Sequence, residues 1–406
     1  MKIVFRRDVI SAAVAPLMSG VSTKMTLAAT EGILIEASLP NTCVMTTYDI
    51  EKGVRITIEA DVIEAGSAIV SASKFSQIVR VMDGDITLTV DDRNCATIVS
   101  GRSSHTMTAL PAKDFPEIPR LTSTQGFVAP QKVVRSMMAK CLYAMGVNDQ
   151  RPVLNGLFFS VTGGKLHMVS CDSFKMATCA TQTDLYGLES DLTVEDTRFI
   201  LPNKSVNELY KLLNDKDEEA IVTVYTSRKN IIFVMGELTF VSKLIECAYI
   251  DYNRIILRNH RITVYADRES VISALEHAAL ITEEKVAGSV RSHVRLEAQG
   301  NILKISATSG TGSSYDEVAI GHEGDDLVIA FNNRYLIDSL RACQADRVKL
   351  SMSSPLSSIN IEPNDEDRCA TDEDLFMLLP VRRKDRDWEN EGLCPWSPCG
   401  SVTTRL

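Results

Sequence analysis

The sequence repeats one pattern three times along its length. Each copy contains an apolar run, a short polar turn and a second apolar run, which is the pattern of a β-hairpin. The copies are Gly32–Asp49, Gly156–Asp172 and Val294–Thr308. They recur at an interval of roughly 130 residues, far longer than the repeat of a solenoid protein. We therefore predict that each copy belongs to a separate domain of one type.

A second motif recurs at a similar interval. In each copy a short strand leads to a Ser or Asn that can cap a helix, and apolar residues then follow at helical spacing. These copies are Ala68–Arg80, Phe199–Tyr210 and Leu327–Leu340. Each domain also opens with a helix candidate, at Arg6–Gly20, Ala129–Met145 and Asp267–Ile281. Because hairpin-connected strands favour antiparallel sheets, the predicted fold class is α+β, with two helices packed on antiparallel sheets in each of three similar domains.

The domain boundaries are placed where the repeated pattern stops. The predicted domains are residues 1–122, 123–257 and 258–383. The remaining segment, 384–406, is polar, lacks periodicity and contains both Trp residues, so we assign it to no domain.

Charge is distributed unevenly between the helix candidates and the rest of the chain. The net charge is −10, so the molecule as a whole should repel nucleic acid. The six helix candidates, counted together with Lys211 and Arg341 directly after two of them, nevertheless carry twelve basic and six acidic side chains. If these helices share a face, that face can hold a phosphate backbone with an affinity independent of base sequence. The simpler interpretation, that each cation lies on an ordinary solvated face, stays open for any single residue.

Motifs for catalysis and for metal binding are largely missing from the sequence. Ser71–Lys74 matches the SxxK element of penicillin-binding enzymes, but the SDN and KTG partners do not occur. The six His are widely separated, and the ten Cys form no CxxC pair. We therefore predict no catalytic residue, no cofactor and no metal site, in a protein of the reducing cytoplasm. Ser11, Pro16 and Ser19 interrupt the apolar stretch near the amino terminus, so it is not interpreted as a signal peptide.

Four segments carry a resemblance to a known family. They are Leu110–Pro116, Arg151–Gly156, Ser242–Arg254 and Phe376–Arg382. Together with the threefold repeat they resemble the bacterial DNA polymerase III β subunit, the DNA sliding clamp, over residues 1 to 383. The resemblance implies a processivity factor without catalytic residues. It also implies that two crescent subunits join head to tail into a ring of six domains, which encircles duplex DNA and tethers the replicative polymerase.

The resemblance implies DNA-facing residues on the helices and nearby loops. Their contacts with phosphate should each be weak, since tight contacts would hinder sliding. The implied set is Lys24, Arg80, Lys132, Arg135, Lys140, Asn148, Lys204 and Lys211.

The resemblance also implies an apolar cleft, between domains two and three, that binds short peptides from partner proteins. Its implied lining is Leu154, Cys171, Ser173, Phe174, Lys175, Met176, Ile250, Arg254, Ile255, Met377, Leu379, Pro380 and Val381. Most family members have Thr-Asp-Gly-His-Arg where this chain has Cys171–Lys175, so its preferred peptide should differ. The implied partners are the clamp loader and the replicative and repair polymerases, with no membrane partner.

The subunit junction is implied in the same way. It should bring Leu280 and Ile281 against a domain-one edge near Met107, with Lys74 and Arg102 facing acidic residues. The resemblance places the protein in the cytoplasm, associated with the nucleoid. Two alternatives stay open: a clamp relative that binds peptides without being loaded on DNA, and an SxxK-type serine enzyme acting through Ser71. We also hypothesise that Trp388 or Trp396 folds back over the cleft and competes with partners.

Overall fold

A computed structural model describes residues 1–22, 27–119, 125–183, 185–188, 196–282, 293–310, 312–365 and 372–381. These residues divide into two compact units. The first unit runs to Asn253 and includes 372–375, and the second runs from Arg254 to 365 and includes 376–381. Within these described ranges, no helix has both the length and the apolar character needed to cross a membrane.

The helices lie where the helical spacing of apolar residues predicts them. The described residues form α1 Arg7–Leu17, α2 Ala72–Val81, α3 Gln131–Cys141, α4 Asn203–Leu212, α5 Arg268–Thr282 and α6 Asn333–Ala342. In α1, the buried face consists of Ile10, Ala13, Val14 and Leu17, at the spacing of one helical stripe. The helices pack in pairs, α1 beside α2, α3 beside α4 and α5 beside α6.

The strands of the first unit form antiparallel sheets, as the hairpin pattern predicts. The strands are β1 Lys2–Phe5, β2 Gly32–Ser38, β3 Thr42–Tyr48, β4 Lys52–Glu59, β5 Asp61–Glu64, β6 Gly66–Ser71, β7 Ile86–Val90, β8 Cys95–Ser100, β9 Ser103–Thr108, β10 Leu110–Pro111, β11 Gly126–Pro130, β12 Gly156–Thr162, β13 Lys165–Cys171, β14 Lys175–Gln182, β15 Thr197–Pro202, β16 Ile221–Thr226, β17 Asn230–Met235 and β18 Leu238–Lys243. One sheet has the order β5-β1-β7-β8-β9 and another β10-β6-β2-β3-β4-β18-β17-β16-β11. Because β4 pairs with β18, the second sheet runs from predicted domain one into predicted domain two. Strands β15, β12, β13 and β14 are neighbours in a further sheet.

The second unit repeats this construction. Its strands are β19 Ile262–Asp267, β20 His293–Gln299, β21 Ile302–Thr308, β22 Ser313–Glu323, β23 Leu327–Asn332, β24 Arg347–Met352, β25 Ile359–Pro363 and the last three residues of β26 Glu373–Leu378. They follow the order β26-β25-β24-β19-β22-β21-β20-β23, and their pairings are antiparallel. The predicted and observed fold classes agree. The described chain consists of antiparallel sheets with a small number of helices packed on them.

Equivalent hydrogen bonds show that the first two copies share details beyond their strand order. The Thr47 hydroxyl donates to the carbonyl of Leu17, the last residue of α1, at 2.7 Å. The Ser170 hydroxyl donates to the carbonyl of Cys141, the last residue of α3, also at 2.7 Å. Each bond satisfies a helix-end carbonyl that has no partner within its own helix.

The predicted capping by Ser or Asn is correct at one of the three recurrent sites. At α6 the Asn332 side chain accepts a hydrogen bond from the Tyr335 amide at 3.2 Å. At α2 the N-cap residue Ser71 makes no such bond, and the N-cap of α4 is Pro202, which has no side-chain acceptor. The prediction is therefore wrong for α2, whose Ser71 side chain forms no cap bond, and for α4, where a proline occupies the N-cap position.

Candidate DNA and partner surfaces

The predicted DNA-facing residues fall into two groups. Arg80, Lys132, Lys204 and Lys211 lie on α2, α3 and α4 with exposed side chains, and Asn148 lies on an exposed loop. Asn148 has a φ of 56°, in the left-handed region that Asn tolerates. Lys24 lies outside the described residues.

Arg135 and Lys140 form the second group, because both are engaged in the fold. The Arg135 guanidinium donates to the carbonyl of Leu213 at 3.0 Å, pairs with Asp215 at 3.1 Å and lies over the Tyr210 ring at 4.3 Å. The Lys140 side chain is 15% exposed, and its ammonium is 2.8 Å from the carboxylate of Asp374. These contacts hold α3 against its neighbours, so we do not assign either residue to a DNA surface.

Several exposed helix cations also have acidic partners. The Lys132 ammonium is 2.5 Å from Glu218, Lys211 is 3.2 Å from Glu208, and Arg7 is 3.8 Å from Asp83. The hydrogen bond from Lys132 lowers the pKa of the Glu218 carboxyl below its ordinary value. The predicted positive helix face is therefore partly neutralised, by Glu208 on α4 itself and by Glu218 and Asp83, which lie outside the helices and were not in the helix count.

The turn Asp172–Lys175 presents the most exposed part of the predicted peptide-binding set. The Asp172 carboxylate accepts hydrogen bonds from the amides of Phe174 and Lys175 at 3.0 and 2.9 Å, and it pairs with the Lys175 ammonium. Ser173 has a φ of 79°, the region that favours the Gly of most family members. These bonds fix the backbone of the turn, and the Phe174 side chain on it is 58% exposed. An aromatic ring on a fixed turn can anchor an apolar peptide side chain.

The rest of the predicted set in the first unit is mainly core. Leu154, Cys171 and Met176 are buried, as is the Lys175 side chain, and Ile250 is half-buried. Burial raises the pKa of the Cys171 thiol, which keeps it protonated at neutral pH. The ligand-accessible members of the set are therefore Ser173, Phe174 and Ile250.

The predicted set in the second unit divides in the same way. Met377 is buried, Arg254, Ile255 and Leu379 are exposed, and Pro380 and Val381 are half-buried. The amide of Val381 donates to the carbonyl of Ala330 at 2.8 Å, which fixes the backbone at Val381 on β23. The hypothesis about Trp388 and Trp396 falls outside the described residues.

A strap of chain, residues 244–253, crosses the sheet in the first unit and has no counterpart among the predicted elements. Tyr249 stacks on Phe158 with ring centroids 4.8 Å apart, and the Tyr252 hydroxyl is 3.1 Å from Nδ1 of His167. A cavity of about 810 Å³ lies beneath this strap and contains Arg198 among its lining residues. The two Tyr residues spaced three apart after β18 are the available signal, although no periodicity distinguishes them from a loop.

The predicted subunit-junction residues lie at sheet edges and on α5. In the described chain β9 pairs with β8 alone, so its other edge is open. Met107 on β9 is buried, whereas Arg102, just before β9, and Lys74 on α2 are exposed. In the second unit Leu280 is 80% exposed and Ile281 is half-buried. Beside α5 lies a cavity of about 600 Å³ whose lining is rich in acidic residues and includes Asp267, Glu269, His277, Asp316 and Glu317.

Comparison with known proteins places these surfaces in a family context. The N-terminal, central and C-terminal domain profiles of the DNA polymerase III beta subunit match residues 1–119, 128–251 and 253–375. The beta sliding clamp of Vibrio cholerae is 30% identical over 344 residues, which are 83% of this chain and 88% of that protein. The beta sliding clamp of Pseudomonas aeruginosa is 29% identical over 340 residues, 83% of this chain and 87% of that protein.

Solved structures agree with the sequence comparison. The DNA polymerase III subunit beta from Pseudomonas aeruginosa superposes with a TM-score of 0.84 at 25% identity, covering 94% of this chain and 100% of that chain. The sliding clamp from Bacillus subtilis has a TM-score of 0.86 at 22% identity, covering 95% and 100%, and supports the fold alone. On the three consecutive domain matches and the relative that is 30% identical over most of both chains, this protein belongs to the DNA polymerase III beta subunit family, the beta sliding clamps.

Proposed function

We propose that two copies of this chain close head to tail into a ring around duplex DNA and keep a tethered polymerase on its template. The observation that carries the proposal is the threefold repeat of one α+β unit in a chain of the beta sliding clamp family. A ring of six similar domains can close because each heterologous interface repeats the same rotation. Like other members of the family, the protein is a non-catalytic processivity factor, so the serine-enzyme alternative is set aside.

The DNA surface in this proposal is smaller than the predicted set. It consists of the exposed residues Arg80, Lys132, Asn148, Lys204 and Lys211. Long, solvated side chains bind phosphate through screened and water-bridged contacts, which are weak and independent of base sequence. Such contacts centre the duplex in the ring without fixing its position, and topology prevents release.

The subunit junction in this proposal joins the open edge of β9 in one copy to the α5 region of the other. The exposed Leu280 side chain supplies apolar area, and β9 supplies unpaired backbone groups. Lys74 and Arg102 then face Asp316 and Glu317, which gives the contact a defined polarity. This charge pattern disfavours pairing of two identical edges.

Partner binding in this proposal uses short peptides from the clamp loader and from the replicative and repair polymerases. In the first unit Phe174 and Ile250 offer apolar contacts, and in the second unit Ile255 and Leu379 do so. Linear peptides of this kind are anchored by a few apolar side chains. The place of action is the DNA of the nucleoid.

The experiment loads the protein with a clamp loader on nicked circular DNA and then cuts the circle with a restriction enzyme. We expect the protein to stay on the circle through gel filtration and to leave after linearisation, because a ring slides off free ends. Uncut circles and DNA with protein-blocked ends are the controls. Retention that ignores linearisation would contradict the proposal, and peptide binding without any retention would favour the scaffold alternative.

A further inference from the structure

An acidic loop, residues 213–220, follows α4 and lies against the start of α3. Its two ends are fixed on Gln131, the first residue of α3. The Asn214 amide donates to Oε1 of Gln131 at 2.8 Å, and the Gln131 amide donates to the carbonyl of Ala220 at 2.8 Å. Since the Gln131 side chain is buried and also donates to the carbonyl of Ile221 at 2.8 Å, the anchor is rigid.

Bonds inside the loop fix its shape as well. The Lys216 amide donates to Oδ1 of Asn214 at 2.9 Å, and the Glu219 amide donates to Oδ1 of Asp217 at 3.0 Å. Asp215 pairs with the largely buried Arg135 at 3.1 Å. This anchored loop places Glu218 at 2.5 Å from the ammonium of Lys132, one of the proposed DNA contacts.

The same arrangement occurs in predicted domain one. The loop after α2 contains Asp83 and Asp85, and Arg7 is the first residue of α1. The Arg7 amide donates to Oδ1 of Asp85 at 3.2 Å, and its guanidinium lies 3.8 Å from Asp83. In both domains, therefore, the loop after the second helix presents carboxylates to a cation in the first turn of the first helix.

We propose that Glu218 is a positioning residue that competes with DNA phosphate for Lys132. This inference rests on the proposed function and deepens it. The Glu218 carboxylate pairs with the Lys132 ammonium when no phosphate is near, and a DNA phosphate must displace the carboxylate to bind the ammonium. Because an exposed ion pair is worth at most about 1 kcal/mol, the competition weakens the contact by up to about fivefold and does not abolish it. A weaker contact at each phosphate lowers the barrier to sliding.

The test is Glu218→Gln, with Glu219→Gln as its matched control. Both changes remove one negative charge from the same exposed loop, but only Glu218 pairs with Lys132 in the described contacts. Each variant is loaded on nicked circular DNA, and its diffusion along the DNA is followed by single-molecule fluorescence. We expect Glu218→Gln to diffuse up to about fivefold more slowly than wild type, and Glu219→Gln to match wild type.

Two further measurements make the inference specific. The difference between the variants should shrink between about 50 and about 200 mM salt, since a phosphate contact by lysine is salt-dependent. In a Lys132→Gln background, Glu218→Gln should have no effect, because the cation it releases is gone. Equal slowing by both glutamine variants, no slowing by either, or slowing that persists without Lys132 would each overturn the inference while wild-type retention leaves the proposed function intact. Failure of wild type to stay on the circle would overturn the proposed function and this inference with it.

Discussion

Two turns of the first unit share a skeleton and differ at their tips. In Asp49–Lys52, the Asp49 carboxylate accepts hydrogen bonds from the amides of Glu51 and Lys52 at 3.0 and 2.7 Å, and the buried Lys52 ammonium is 3.4 Å from it. Asp172–Lys175 repeats these bonds, with the backbone at Ile50 and Ser173 at φ values of 77° and 79°. The Asp and the Lys three positions after it, not the residues between them, specify this four-residue turn.

The tips have different uses. The carbonyl of Glu51 accepts a hydrogen bond from the Lys243 amide at 2.8 Å, and its carboxylate is 3.9 Å from Lys204. The tip of the first turn is therefore part of the contact between predicted domains one and two. At the second tip Phe174 is 58% exposed, and the Arg151 guanidinium donates to the Ser173 hydroxyl. One duplicated turn thus serves as an internal joint in one copy and offers an aromatic side chain to solvent in the other.

The largest expected effect is the loss of either Asp. Asp49→Ala and Asp172→Ala should each lower the free energy of unfolding by about 2 to 4 kcal/mol, because each leaves two turn amides without an acceptor and a buried lysine without its carboxylate. Urea unfolding followed by circular dichroism measures this. If one variant lowers the free energy of unfolding by less than about 0.5 kcal/mol and the other does not, the two turns are not energetically equivalent.

Truncation at the tips should separate the turns by function. Phe174→Ala should weaken binding of a fluorescent peptide from the polymerase by at least about tenfold, since it removes a proposed anchor. Glu51→Ala, at the equivalent position, should leave peptide affinity unchanged. Fluorescence anisotropy of the peptide gives both values. Equal affinities of the two variants would remove Phe174 from the proposed partner surface.

The residue at the left-handed position should have a smaller effect. Ser173→Ile should lower the free energy of unfolding by about 1 kcal/mol, because a β-branched side chain is strained at positive φ. The first turn has Ile50 at the equivalent position, with a side chain that is 38% exposed. Ser173→Gly should be nearly neutral, because relief of the strain at positive φ offsets the lost bond to Arg151 and the greater freedom of glycine in the unfolded chain. If Ser173→Ile proves as stable as wild type in thermal unfolding, strain does not distinguish the tips.

The smallest expected effect is a pH dependence found in the second copy alone. His167 occupies the position of Val44 in the first copy, and burial, with a smaller contribution from Lys165, lowers its pKa below the ordinary value of 6.5. The unfolded chain then binds the proton more readily, so stability falls as the pH drops through 6.5. Between about pH 7.5 and about pH 5.5 the melting temperature should fall more in wild type than in His167→Val. Equal falls would show that other groups, including Glu373, dominate.

Local sequence predicted most of the fold. Apolar residues at helical and alternating spacing placed all six described helices and the hairpins close to their observed bounds, because both periods depend on neighbours within a few positions. The same reasoning failed at the caps of α2 and α4, since capping depends on side-chain geometry at a single position. The boundaries of the three predicted domains remain predictions.

The sequence by itself determined that one α+β unit occurs three times and that its helices are rich in Lys and Arg. Only the tertiary structure decided which of those cations remain accessible. Lys140 is paired with a carboxylate 234 residues away, and Arg135 with acceptors about 80 residues away, whereas Lys204 stays exposed. Helical periodicity reports which face of a helix is apolar, but the charge available to a ligand depends on partners that only the folded chain brings together.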